Sequence, residues 1–167
     1  MNHFCCVLDH FGITYKRDKK DCHYTDNIKE FMDSIGNGDI IVVVFSRQYM
    51  LSRNCMYELS KIKQQENWKD KVLPVVVDDS IRERTFYIEL VKHWKTEKES
   101  LEKDIEELKA IDENSAAPLE DELREANDIF NFLPELKRYV DWVNAESLNN
   151  LSSTNFKVLI DKIKGMK

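Results

Sequence analysis

Two runs of this chain, Ile40–Phe45 and Val72–Val77, are apolar at nearly every position, with no alternation of polar and apolar residues. A strand with one wet face alternates, so a continuous run describes a strand covered on both faces. Between the two runs lies a helical pattern, with Met56, Leu59 and Ile62 on one side and Ser52 placed to cap its start. Strand, helix, strand in that order calls for a crossover and hence a parallel sheet. Pro74 sits inside the second run, which suggests an edge strand or a position where pairing only begins.

The flanking sequence extends the pattern. Phe4 to Phe11 is a short apolar helical stretch ended by Gly12, and Ile13-Thr14-Tyr15 reads as a strand. Asp26 caps a helix carrying Ile28, Phe31, Met32 and Ile35, and Gly36 stops it. Beyond residue 80 the texture becomes helical and strongly charged. Phe86 to Ile111 is one helix with Leu101, Ile105 and Leu108 along its stripe. Asn114–Pro118 breaks it, and Leu119, Leu123, Ala126, Phe130 and Leu133 begin a second stripe. The pair reads as a helical hairpin, with Trp142 available to anchor its end. Leu148 to Thr154 reads as a polar link, and Phe156, Leu159, Ile160 and Ile163 as a last amphipathic helix returning to the sheet. The division is 1–80 for the α/β core, 81–147 for the helical hairpin and 148–167 for the closing helix.

Composition removes several functions. The 31 acidic residues outnumber 25 basic ones, for a net charge of −6. An acidic balance argues against a generic nucleic-acid grip. The longest apolar run has strand length, so no membrane span is expected. The start lacks the basic residues and apolar length of a signal peptide. Cys5, Cys6, Cys22 and Cys55 form no metal or disulfide pattern and read as reduced thiols in a cytoplasmic protein. His3, His10, His23 and His93 lack metal-ligand spacing, so no metal and no resident cofactor is expected. There is no glycine-rich nucleotide motif. Asp78-Asp79-Ser80 follows a strand as in phosphorylated receiver domains, but Ser46 stands where the phosphorylated Asp would have to be.

Ligands of open α/β sheets bind beyond the carboxyl ends of the strands, which directs attention to the loop after Phe45. Here Ser52, Cys55 and Glu58 recur every three residues and wind down nearly one helix face. A carboxylate so held can stabilise a developing cation in cleavage of a glycosidic bond. The plain alternative is that Ser52 is a cap, Cys55 core and Glu58 a solvated acid.

The stretch from Asp26 to Gly36, followed by Asp39 to Leu59, resembles a bacterial TIR (Toll/interleukin-1 receptor) domain. The most specific part is the strand followed by Ser46, Tyr49, Ser52, Cys55 and Glu58-Leu59. The resemblance implies a flavodoxin-like doubly wound parallel sheet of five strands. Many members cleave NAD+ to nicotinamide and ADP-ribose, linear or cyclic, in signalling or defence; others act only by assembling with further TIR domains. It further implies that Glu58 is the catalytic acid, that Ser46, Ser52 and Cys55 line the site, and that Lys19 to Asp26 is the gating loop. Lys16-Arg17 and Lys19-Lys20 make a small basic patch there that would meet the phosphates of NAD+ or an acidic partner face, a solvated loop being the plain alternative. NAD+ is then substrate rather than cofactor. Against the family pattern, Met1 falls within the first helix, so the central first strand is expected to be missing. An upstream start, an inactive remnant, or a strand supplied by another chain would each account for that.

Overall fold

The computed structural model describes residues 2–15, 40–143 and 145–165. These residues divide into two compact units, the first from Met1–Val44, Gln65–Val77 and Ala145–Lys167, the second from Phe45–Gln64 and Asp78–Asn144.

The first unit opens with α1 (Asn2–His10). Gly12 ends it with φ +63, donating to the Asp9 carbonyl at 3.1 Å while Ile13 N–H reaches back to Leu8 at 3.0 Å. This pair of bonds is the Schellman closure, and it needs a residue that accepts the left-handed conformation, which Gly does without Cβ strain. The same closure explains why Ile13–Tyr15 is not the expected strand. The N–H of Ile13 is committed to the helix end, and its side chain is buried in the apolar cluster rather than alternating on a ladder.

The sheet runs β1 (Ile41–Phe45), β2 (Val72–Val76), β3 (Glu146–Ser147), with β2 in the middle. A single left-handed residue, Asn67 at φ 57, leads into the short α4 (Trp68–Lys71), which runs directly into β2; α2 and α3 belong to the second unit and are described below. β2 and β3 pair in parallel through Val75 with Glu146 and Val76 with Ser147. That ladder starts just after Pro74, so the missing N–H of proline is not asked to donate to it. Here the chain departs from expectation in extent: the described residues carry three strands and a predominance of helix, not a five-stranded doubly wound sheet. β3 is two residues long, too short for any periodicity to announce it.

Leu148 to Thr154 is likewise not a polar link. It forms α7 (Leu148–Ser153), capped by Ser147, whose Oγ accepts from Asn150 N–H. Asn155 and Phe156 then both take positive φ, 50 and 58, before α8 (Lys157–Gly165). Phe156 is buried, its ring 4.8 Å from that of Phe4. Phe4 and Leu8 of α1, Leu73 and Val75 of β2, and Leu159, Ile160 and Ile163 of α8 share this cluster, with Val42 and Val44 packed against it. α8 thus packs in one cluster with residues of β2.

The second unit holds α2 (Arg47–Leu51), α3 (Arg53–Lys63), α5 (Arg84–Ile111) and α6 (Ala117–Trp142). α5 and α6 pack antiparallel: Lys98 stands over the Phe130 ring, and Lys109 meets Glu120 at 2.6 Å near the turn. Pro118 falls in the first turn of α6, where no backbone N–H is needed. The buried face of α6 is Ala126, Ile129, Phe132, Leu133, Leu136 and Val140, rotated from the expected stripe, and Phe130 is only half-buried. Trp142 anchors nothing: it is 87% exposed. Among the described residues no helix is long and apolar enough to cross a membrane.

Candidate functional site

The segment after β1 is built from two serine caps in tandem. Ser46 takes an extended backbone, φ −141, and its Oγ accepts from Tyr49 N–H at 3.1 Å to start α2. Six residues on, Ser52 is extended again, φ −83 and ψ 124. Its N–H donates to the Tyr49 carbonyl, ending α2, while its Oγ accepts from Cys55 N–H at 3.5 Å and its carbonyl accepts from Met56, starting α3. Ser-type residues at such positions satisfy N–H groups that a helix leaves orphaned. Each hydroxyl spends an acceptor lone pair on its cap; the O–H remains a donor by its chemistry.

Breaking the helix at Ser52 also releases carbonyls at the end of α2. Two adjacent side chains of α5 take them. Trp94 donates its indole N–H to the Met50 carbonyl at 3.1 Å, and His93 Nε2 lies 3.1 Å from the Leu51 carbonyl. A carbonyl only accepts, so that ring nitrogen carries a proton. Trp94 is thereby a packing anchor with its polar edge also satisfied.

α3 buries Met56, Leu59, Ser60 and Ile62. Cys55, a free thiol, and Glu58 are half-buried on the flank of that stripe. Ser52, Cys55 and Glu58 are therefore brought onto one side of one helix start, as their spacing required; Ser46 stands at the preceding cap. Lys19 and Lys20, and the rest of the expected gating loop, lie outside the described residues.

The sequence reading missed the charges around this segment. Arg47 pairs with Glu89 and its guanidinium lies 4.5 Å over the Phe86 ring. Arg53 pairs with Glu122 and reaches Glu125 at 3.6 Å, and Lys63 reaches Glu135 at 3.6 Å. The basic residue directly after each capping serine was the available signal. Asp78 caps the turn Asp79–Arg82; hydrogen bonds from the Ser80 hydroxyl and N–H, with a smaller effect of the Arg47 charge, hold its carboxyl below the ordinary value. Among the described residues no group of three or more His, Cys, Asp or Glu could hold a metal ion.

Comparison with known proteins gives one family. The family model described as TIR domain matches residues 2–105, which is more than half of the chain. No curated protein and no solved structure matches. The match spans β1, both serine caps and Glu58, takes in most of α5, and ends before α6 begins.

Proposed function

The chain belongs to the TIR domain family, and from that premise we propose that it cleaves NAD+ at the bond between nicotinamide and ribose, with Glu58 as the catalytic carboxylate. TIR domains mediate homotypic interactions, and members of the family serve signalling. The framework in this reading is the flavodoxin-like α/β fold of the family, with a doubly wound parallel sheet; its support is family membership and the parallel pairing of β2 with β3.

The chemistry needs little from the protein. The bond from ribose C1′ to the pyridinium nitrogen breaks, and its electron pair leaves with nicotinamide, which departs neutral. C1′ is left with oxocarbenium character, and the Glu58 carboxylate stabilises that positive charge. Water then adds at C1′ and sheds a proton, giving ADP-ribose; addition of an adenine ring nitrogen instead gives a cyclic product. Ser46 and Ser52, through their hydroxyl protons, Cys55 beside them, and Lys19 and Lys20 toward the phosphates, are the proposed substrate contacts.

The observation that supports this most is Glu58 itself. It is an acid half-buried on a short helix whose start is fixed by a cap, in the residue pattern that carries the family resemblance. The test is nicotinamide release from NAD+ by the full chain and by Glu58→Gln. Turnover by the native chain and a loss of about 10²-fold or more in the variant is expected, the size typical for removing one charge-stabilising group. Equal rates in both would overturn the assignment.

A second reading, a non-catalytic module working through TIR–TIR contact, is supported by family membership, since TIR domains mediate homotypic interactions. Concentration-dependent assembly in sedimentation, unchanged by Glu58→Gln and without nicotinamide release, would favour it. The cytoplasm is the proposed location, and no nucleic-acid or membrane partner enters either reading.

A further inference from the structure

We propose that α6 is a brace that positions the helix bearing Glu58, and that Arg53 and Lys63 are its two points of attachment. The kinetic consequence rests on the NAD+ cleavage reading; the brace itself rests on the geometry of α3 and α6.

Arg53 is the first residue of α3 and Lys63 the last. Arg53 is held by Glu122 and Glu125, which stand three residues apart on one face of α6. Lys63 is held by Glu135 at 3.6 Å and lies 5.0 Å over the ring of Phe132, again three residues apart on α6. Each end of α3 therefore meets a two-residue clasp. The spacing agrees as well: ten residues separate Arg53 from Lys63, and ten separate Glu125 from Glu135. At about 1.5 Å per residue both spans are about 15 Å, so the helices run parallel and in step. α3 cannot slide along α6 without breaking both clasps.

Rotation is fixed too. Glu58 lies midway between the anchors, five residues from each, which is about 140° around the helix from either one at 3.6 residues per turn. The two anchors thus define one side of α3 and Glu58 occupies the other. The brace sets the height and the facing of the carboxylate while its own cations stay on the opposite side. None of the α6 partners lies within the family match, which ends at residue 105.

Arg53 and Lys63 are positioning residues, and their signature differs from that of a structural pair. Part-exposed ion pairs add little to stability. A misplacement of about 1 Å at a reacting group costs about 10²-fold in rate. Loss of the clasp should therefore lower turnover while barely moving the melting temperature.

The experiment uses the full chain as Arg53→Ala, as the swap Arg53→Glu with Glu122→Arg and Glu125→Arg, and as Lys109→Ala. The last removes a comparable ion pair, Lys109–Glu120, that does not touch α3. Arg53→Ala should lower kcat by about 10–100-fold with KM changed less than about 3-fold and Tm by no more than about 4 °C. It should also speed amide exchange across residues 55–60. The swap should restore both, and Lys109→Ala should alter neither. Native kcat and native exchange in Arg53→Ala would overturn the brace. If the native chain releases no nicotinamide, the function reading fails by itself, and exchange alone decides the brace: faster in Arg53→Ala upholds it, unchanged refutes it.

Discussion

Trp94→Phe is the sharpest probe of how the segment after β1 is held. The perturbation removes one indole N–H and a little ring volume from a side chain that is 1% exposed. In the native chain that N–H answers the Met50 carbonyl at 3.1 Å. The carbonyl sits in the last turn of α2, where Ser52 has turned the backbone to ψ 124 and ended the helical ladder. Phenylalanine leaves the carbonyl buried without its donor, at a cost of about 1–3 kcal/mol. Allowing about 1 kcal/mol more for the lost ring volume, the total is about 2–4 kcal/mol. For a chain of this size each kcal/mol is worth about 2–4 °C in Tm, so a fall of at least about 4 °C is expected. Urea unfolding should show a lower midpoint at unchanged slope, meaning lost stability without a new denatured state. A change below about 0.5 kcal/mol would refute the reasoning, because it would mean the carbonyl does not depend on Trp94.

Two other substitutions test distinct features. Phe156→Ala should cost about 3–5 kcal/mol by urea unfolding, since it empties a buried ring position; but Phe156→Gly should be the less damaging of the two, because φ is 58 there and glycine alone adopts it without strain. Glycine proving worse than alanine would sink that account. Burial pushes the Tyr139 hydroxyl up to about 12 from its ordinary value of 10. The folded state then keeps a proton that the unfolded state loses, so the stabilisation is complete below pH 10 and is lost as pH rises through about 12. Urea midpoints measured across that window should fall more steeply for the native chain than for Tyr139→Phe.

Local signals in the sequence were reliable where local physics decides. β1 and β2 were legible because continuous apolar runs of that length leave few alternatives, and the cap at Ser52 follows from hydroxyl chemistry, whereas the cap at Ser46 and the short α2 it starts were not foreseen. α5 followed from spacing alone. What failed depended on partners distant in sequence. Ile13–Tyr15 has the composition of a strand, yet the helix closure at Gly12 claims the N–H of Ile13. β3 exists only because β2 offers Val75 and Val76 as partners to Glu146 and Ser147, and two residues carry no period. The stripe of α6 was read one step off, at Phe130 rather than Ile129, because Leu119 and Leu123 lie outside the buried face and set the phase wrongly. At the site, spacing grouped Ser52, Cys55 and Glu58, whereas the clasps of Arg53 and Lys63 depend on α6 residues nearly 70 positions away.

The first unit joins segments far apart in sequence, with Phe4 and Leu8 sharing a cluster with Ile160 and Ile163. On a ribosome this imposes an order of events. The second unit, closed by residue 144, has all its helices before α8 is made. At about 5–20 residues per second, α1 waits roughly 8–30 s for α8 to complete the cluster that β2 begins. Through that interval the nascent polypeptide carries an incompletely covered apolar helix face, and synthesis of α8 is the step that ends its exposure to chaperones and to aggregation.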